Sequence, residues 1–100
     1  AKEVKVLLTL YYFNWVGTPE EFKEYVGRIK SISDGIDGLS FKGVFVPSSE
    51  WNAVLLFEAA SFEKALECYT TYMKKFGRTG KIPLSKTEIL FTFQELGYPP

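Results

Sequence analysis

Glu58 is the residue whose type and setting point most directly at acid–base chemistry. It stands inside the apolar stretch Trp51–Ala59 (WNAVLLFEA). A carboxylate buried there would have a raised pKa and could act as a general acid or base. The competing reading places Glu58 near a strand end, solvated or paired with Lys42 across a hairpin, and the sequence favours it. The chain has no His. That removes His-dependent triads, the commonest zinc, copper and non-haem iron ligands, proximal-His haem ligation and the usual general base near neutral pH. Catalysis would fall to Tyr, Asp, Glu, Lys or Asn, or to a bound cofactor.

The single Cys68 lies mid-helix between Glu67 and Tyr69. It cannot form an internal disulfide, and no His or helix N-terminus is near to lower its pKa, so it reads as a structural thiol in a reducing compartment. Gly77-Arg78-Thr79-Gly80-Lys81 invites a phosphate-loop reading. Such a loop must follow a strand and open a helix. This one follows a helix and opens a strand, so the reading is rejected. Lys42-Gly43-Val44-Phe45-Val46 faintly resembles an RNA-recognition strand, but it falls on the second strand and lacks the paired stacking aromatics. Twelve basic and twelve acidic residues balance to zero, which further argues against nucleic acid, anionic membranes and highly charged substrates as partners.

One hundred residues with 46% apolar and 24% charged side chains make a single globular domain, residues 1–100, and argue against disorder. No apolar run of about 18 residues and no signal peptide is present. A cytoplasmic protein is expected.

The elements that position these residues follow from local pattern. The first strand spans Glu3 to Trp15 (EVKVLLTLYYFNW). Thr18, Pro19 and Glu21 form a helix start with a capping box, and Phe22, Tyr25, Val26, Ile29 and Ile32 make an apolar stripe ending near Ser33. Leu39–Val46 and Trp51–Ala59 read as an antiparallel hairpin around the turn Pro47–Glu50, with Gly43 marking a bulge or close approach. Ser61 is expected to cap a second helix whose stripe is Phe62, Ala65, Leu66, Tyr69, Tyr72, Met73 and Phe76, with a stop at Lys74, Lys75 and Gly77. The last strand runs from Ile82 to Phe93, with Pro83 at an edge or bulge. The order β-α-β-β-α-β with right-handed crossovers gives an α+β, ferredoxin-like fold: a four-stranded antiparallel sheet with both helices on one face.

Two helices leave the other face bare. Val4, Val6, Leu8, Leu10 and Tyr12 share one side of the first strand, and Leu7, Thr9, Tyr11 and Phe13 the other. Both sets are apolar, so the pattern leaves open which faces the helices. Leu7, Tyr11 and Phe13 lie on one parity of the first strand, and one or the other alternate set of the later strands joins them, with choices among Phe41, Phe45, Val54, Leu56, Phe91 and Phe93. A patch of that kind exceeds what soluble monomers expose. A homodimer through the open sheet face is expected.

The order, the length, the aromatic end of the first strand, and Trp51–Ala59 running into Ser61-Phe62-Glu63-Lys64-Ala65-Leu66 together resemble the dimeric α+β barrel superfamily. The chain looks most like its small uncharacterised DUF3303-like members. The resemblance implies homodimers whose sheets close into a barrel, often with a pocket between sheet and helices. It brings cofactor-free monooxygenases, haem-degrading enzymes, muconolactone-isomerase-like enzymes and amino-acid-sensing regulators into view. The haem-degrading branch uses an Asn, a Trp and a His. Asn14, Trp15 and Trp51 are present but in no alignable motif, and His is missing. No cofactor and no metal are expected. A pocket for an apolar or aromatic small molecule would draw on Tyr11, Asn14, Trp51, Glu58 and Tyr72, the alternative being that these aromatics are core or dimer contacts. The reading is thus a homodimeric α+β barrel protein that binds such a molecule, or a cofactor-independent monooxygenase or isomerase.

Overall fold

The computed structural model describes residues 7–90 and residue 97. Within them the order is β1 (Leu7–Phe13), α1 (Pro19–Asp34), β2 (Leu39–Phe45), β3 (Ala53–Ala59), α2 (Phe62–Phe76) and β4 (Ser85–Leu90). The strands form one antiparallel sheet in the order β2-β3-β1-β4, with β1 and β3 central.

Helix α1 starts as its sequence requires. The Thr18 hydroxyl accepts from the Glu21 N–H, and the Glu21 carboxylate accepts from the Thr18 N–H. Two otherwise orphaned donors are satisfied reciprocally. Tyr25, Ile29 and Ile32 then bury against the sheet. Helix α2 differs from expectation at both its start and its stripe. Ser61 has the extended N-cap backbone, but its hydroxyl makes no capping bond. Only Cys68 and Tyr72 are buried, while Phe62, Leu66, Tyr69 and Phe76 remain about half exposed. The helix stands off the sheet along that stripe.

Register settles the parity of β1. Thr9, Tyr11 and Phe13 sit opposite Phe57, Leu55 and Ala53 of β3, on the side that packs against the helices. The bare face instead carries Leu8, Leu10 and Tyr12, opposite Glu58, Leu56 and Val54. The parity that the sequence leaves open is thereby decided: Leu7, Tyr11 and Phe13 belong to the helix side, not to the bare face. Phe13 is wholly buried, in contact with Phe22 and Tyr25 of α1. Phe41 joins it on the helix side, packed on Phe57. Phe45 pairs with Val54 on the bare face. Phe91 and Phe93, like Val4 and Val6, lie outside the described residues.

A register shift between Phe41 and Gly43 marks a bulge in β2, and Gly43 has φ of +145°. That backbone conformation favours glycine. The hairpin connection is longer than expected because β3 starts at Ala53. Asn52 is occupied otherwise: its side chain accepts from the Trp15 N–H at 2.8 Å and donates to the Trp15 carbonyl at 3.0 Å. Its own N–H donates to the Asn14 side chain at 2.9 Å. Side-chain amides thus replace ladder bonds where β1 and β3 part. β4 likewise begins late, at Ser85, because Pro83 has no N–H to donate. Before it, the Lys81 and Leu84 carbonyls accept from the Val16 and Asn14 N–H groups.

Candidate functional site

The stand-off of α2 leaves a cavity of about 680 Å³ between that helix and the sheet. Its floor is the helix side of the central strands, including Thr9, Tyr11, Leu55 and Phe57. Its roof is α2, through Phe62, Leu66, Tyr69 and Met73 among others. The α1 end is walled by Tyr25 and Ile29, and the linker residues Arg78, Thr79 and Gly80 form part of the rim. The linker is fastened there by Val16 N–H donating to the Lys81 carbonyl at 2.9 Å, and by Lys81 N–H donating to the Thr79 hydroxyl at 3.2 Å.

The polar groups in this apolar chamber are nearly all neutral. Burial pushes the Tyr11 phenol up, while the nearby Ser85 hydroxyl pulls it partly back. Burial, followed by the influence of Tyr11 and Tyr72, pushes Tyr25 up strongly. The Cys68 thiol is raised to about 11 by burial. These groups stay protonated at neutral pH, as burial in a low dielectric requires. No carboxylate lines the cavity, and Arg78 is its one charged residue among the described residues.

Thr9 is the exception to polar satisfaction. It is 3% exposed, and its hydroxyl has no hydrogen-bond partner among the described residues. An unmet buried hydroxyl costs about 1–3 kcal/mol. Val at this strand position would avoid that cost.

Of the five residues expected to build a site, Tyr11 and Tyr72 line the cavity together. The other three lie elsewhere. Asn14 is engaged with Asn52 at the strand end. Trp51 stacks near Tyr12 with centroids 6.5 Å apart, toward the bare face. Glu58 is on the bare face, 3.7 Å from Lys42, as its bland reading had it. Parity explains the division: Trp51 and Glu58 associate with the Tyr12 side of the sheet, opposite Tyr11. Thr9, Cys68 and Arg78 were not anticipated. Thr9 had a signal, being the one polar residue in Leu7–Phe13 (LLTLYYF).

Backbone comparison places this geometry among known folds. The chain is similar to a dabb family protein with a ferredoxin-like fold from Mesorhizobium loti, with TM-score 0.66 and 11% identity over 87% of this chain and 96% of that one. This is the ferredoxin-like fold. It recurs in 30S ribosomal protein S6 from Thermotoga maritima, with TM-score 0.58 and 13% identity over 93% and 94% of the two chains. It also appears in a mutant chlorite dismutase from Candidatus Nitrospira defluvii, with TM-score 0.58 and 13% identity over 98% of this chain but 46% of that one. At such identities the ferredoxin-like chain shares with these proteins its fold alone. No protein-family model and no curated protein matches it in sequence. Among the described residues no helix is long and apolar enough to cross a membrane, and no cluster of three or more Cys, Asp or Glu is placed to hold a metal ion.

Proposed function

We propose that this protein is a homodimer of the dimeric α+β barrel kind that binds a small apolar or aromatic molecule in the cavity beneath α2. The carrying observation is the cavity itself, about 680 Å³ of space lined by aromatic and aliphatic side chains with a few convergent hydroxyls. Sites of 300–1,000 Å³ with that lining are typical for small ligands. Kinship with DUF3303-like proteins rests on the sequence pattern, and a cytoplasmic location on the lone cysteine.

The dimer half of the reading is supported by the bare face. Leu8, Phe45 and Leu90 are 38%, 51% and 44% exposed there, around half-buried Leu10, Tyr12 and Leu56. A standard interface buries roughly 800 Å² per partner. At about 25 cal/mol per Å² of apolar area, the gross gain is large enough to outlast association costs. The pairs Lys42–Glu58 and Lys86–Glu88 flank this surface and would form its polar rim.

The alternative, a cofactor-independent oxygenase or isomerase, requires a group that accepts a proton from substrate. The protonated phenols and thiol around this cavity are poor bases. Binding is therefore the stronger reading.

Thermal-shift screening of small aromatic compounds tests it. A ligand at 100 times its dissociation constant adds about 2.7 kcal/mol, which raises Tm by roughly 10 °C in a domain of this size. Ala65→Trp, which fills the cavity from α2, should abolish that shift. A hit that stabilises the Ala65→Trp protein equally would place the ligand elsewhere.

A further inference from the structure

We propose that the bare sheet face takes up a second copy of this chain in one orientation: the two-fold axis runs along the strands between β1 and β3, and Lys42 of each subunit meets Glu88 of the partner subunit. This rests on the dimer half of the proposed function, and it adds how the two copies sit and which side chains select that arrangement.

The charge pattern of a single row carries it. Leu10 of β1 pairs with Leu56 of β3 on one side and with Glu88 of β4 on the other. Leu56 in turn pairs with Gly43 of β2. The bulge at that point turns Lys42 onto the same face, where its ammonium lies 3.7 Å from the Glu58 carboxylate. Across the middle of the bare face the row therefore reads positive, apolar, apolar, negative. Its two charges stand on opposite edge strands. Neither is buried: the side chains of Lys42 and Glu88 are 43% and 40% exposed.

A homodimer built on one shared patch is symmetric about a two-fold axis. When two sheets pack face to face with aligned strands, that axis can pass between Leu10 and Leu56 in two ways. Run along the strands, it lays β2 of one copy over β4 of the other. Lys42 then faces the partner's Glu88, and symmetry repeats the contact. Run across the strands, the axis lays each strand over its own copy. Lys42 then faces the partner's Lys42, and Glu88 faces the partner's Glu88. The first arrangement gains an attraction wherever the second suffers a repulsion, and like charges brought together at an interface are strongly disfavoured. Glu58 and Lys86, the other charges on this face among the described residues, fall opposite apolar side chains either way. The central row decides.

Within one chain Lys42 and Glu88 are three strand spacings apart, about 14 Å at about 4.8 Å each. That exceeds the screening length of about 8 Å in about 0.15 M salt. A coupling between the two residues therefore passes through the partner.

The test measures dimer dissociation constants of the full chain by sedimentation equilibrium in that salt, for the unaltered protein, Lys42→Glu, Glu88→Lys and the two changes together. Each single change should weaken the dimer about tenfold, because both symmetric contacts turn repulsive. The paired change swaps the charges and should return the constant to within about threefold of the unaltered value. Loss of the Lys42–Glu58 pair enters Lys42→Glu and the paired variant alike, so it cannot imitate that rescue. A dimer that neither single change weakens, or whose two losses simply multiply in the paired variant, would overturn the orientation while leaving the dimer in place. A single-chain mass for the unaltered protein at micromolar concentration would end the dimer reading and this one with it.

Discussion

Tyr25 of α1 and Tyr72 of α2 meet edge to face, with ring centroids 5.3 Å apart and planes 70° apart. Both rings are buried, and Phe13 packs beneath Tyr25 while Phe76 packs against Tyr72. Arg28 of α1 lies over the Phe76 ring at 4.3 Å. The two helices are thus joined through an aromatic pillar, and α2 is held to α1 more firmly than to the sheet below it. That is why the cavity can stay open: the pillar carries the load that direct helix–sheet packing would otherwise bear.

The pillar predicts a contrast between two substitutions. Tyr72→Ala should cost about 3–5 kcal/mol, the usual loss for a large buried aromatic. Tyr72→Phe keeps the ring pair and should cost less than about 1.5 kcal/mol. Urea titration of both variants reads the difference. Equal, small losses would mean that the pillar does not hold α2.

The bare face predicts an interface. Leu10→Asp and Leu56→Lys place charge at the middle of the sheet face, at positions already half-exposed in the single chain. Each should leave the domain folded and shift it from twice the 11.4 kDa chain mass to the single mass in sedimentation at micromolar concentration. Variants that keep the mass of the unaltered protein would move the interface elsewhere.

Cys68 predicts an alkaline limit. Its thiol is raised to about 11 by burial in the fold, so the unfolded chain releases this proton at lower pH than the native one. The associated stability is fully present below the ordinary thiol value and is lost as pH climbs through about 11. Tyr25 and Tyr11, raised in the same sense, steepen the fall from the ordinary phenol range upward. Cys68→Ala should flatten the first part of the decline, followed by denaturant titrations across alkaline pH. An unchanged slope would assign the loss to the tyrosines.

The cap of α1 predicts an acid-side effect. Hydrogen bonds from the Thr18 backbone and hydroxyl, with Lys81 nearby, hold the Glu21 carboxyl below its usual range. Its contribution is present above the unfolded value and is lost as pH falls through the lower folded one. Thr18→Ala should cost about 1 kcal/mol at neutral pH. Glu21→Gln should show a shallower decline than the unaltered protein as pH falls through and below the ordinary carboxylate range. A parallel decline would remove Glu21 from the cap.

What could be read from the sequence was what neighbouring residues decide among themselves. Thr18 and Glu21 are three residues apart, so their cap was legible. The βαββαβ order followed from the turns and the two stripes. The parity of β1 was not legible, because Leu8, Leu10 and Tyr12 are as apolar as Leu7, Tyr11 and Phe13. Only the cross-strand register separates the two sets, and with it Tyr11 from Trp51 and Glu58. The cavity was hidden for a different reason: the stripe of α2 is as apolar as a packed one, and the contacts that tie it to α1, Tyr25 with Tyr72 and Arg28 with Phe76, join residues far apart in sequence. Thr9 alone broke the apolar run of its strand, and it broke it at the cavity floor.

The proposed ligand site lies beneath α2. The most direct test follows amide and methyl NMR signals while 2-naphthol is titrated into the protein. Saturable shifts gathered on Thr9, Ala65 and Met73, with Leu10 and Leu56 still, are predicted. Shifts gathered on Leu10 and Leu56, or none that saturate, would contradict it.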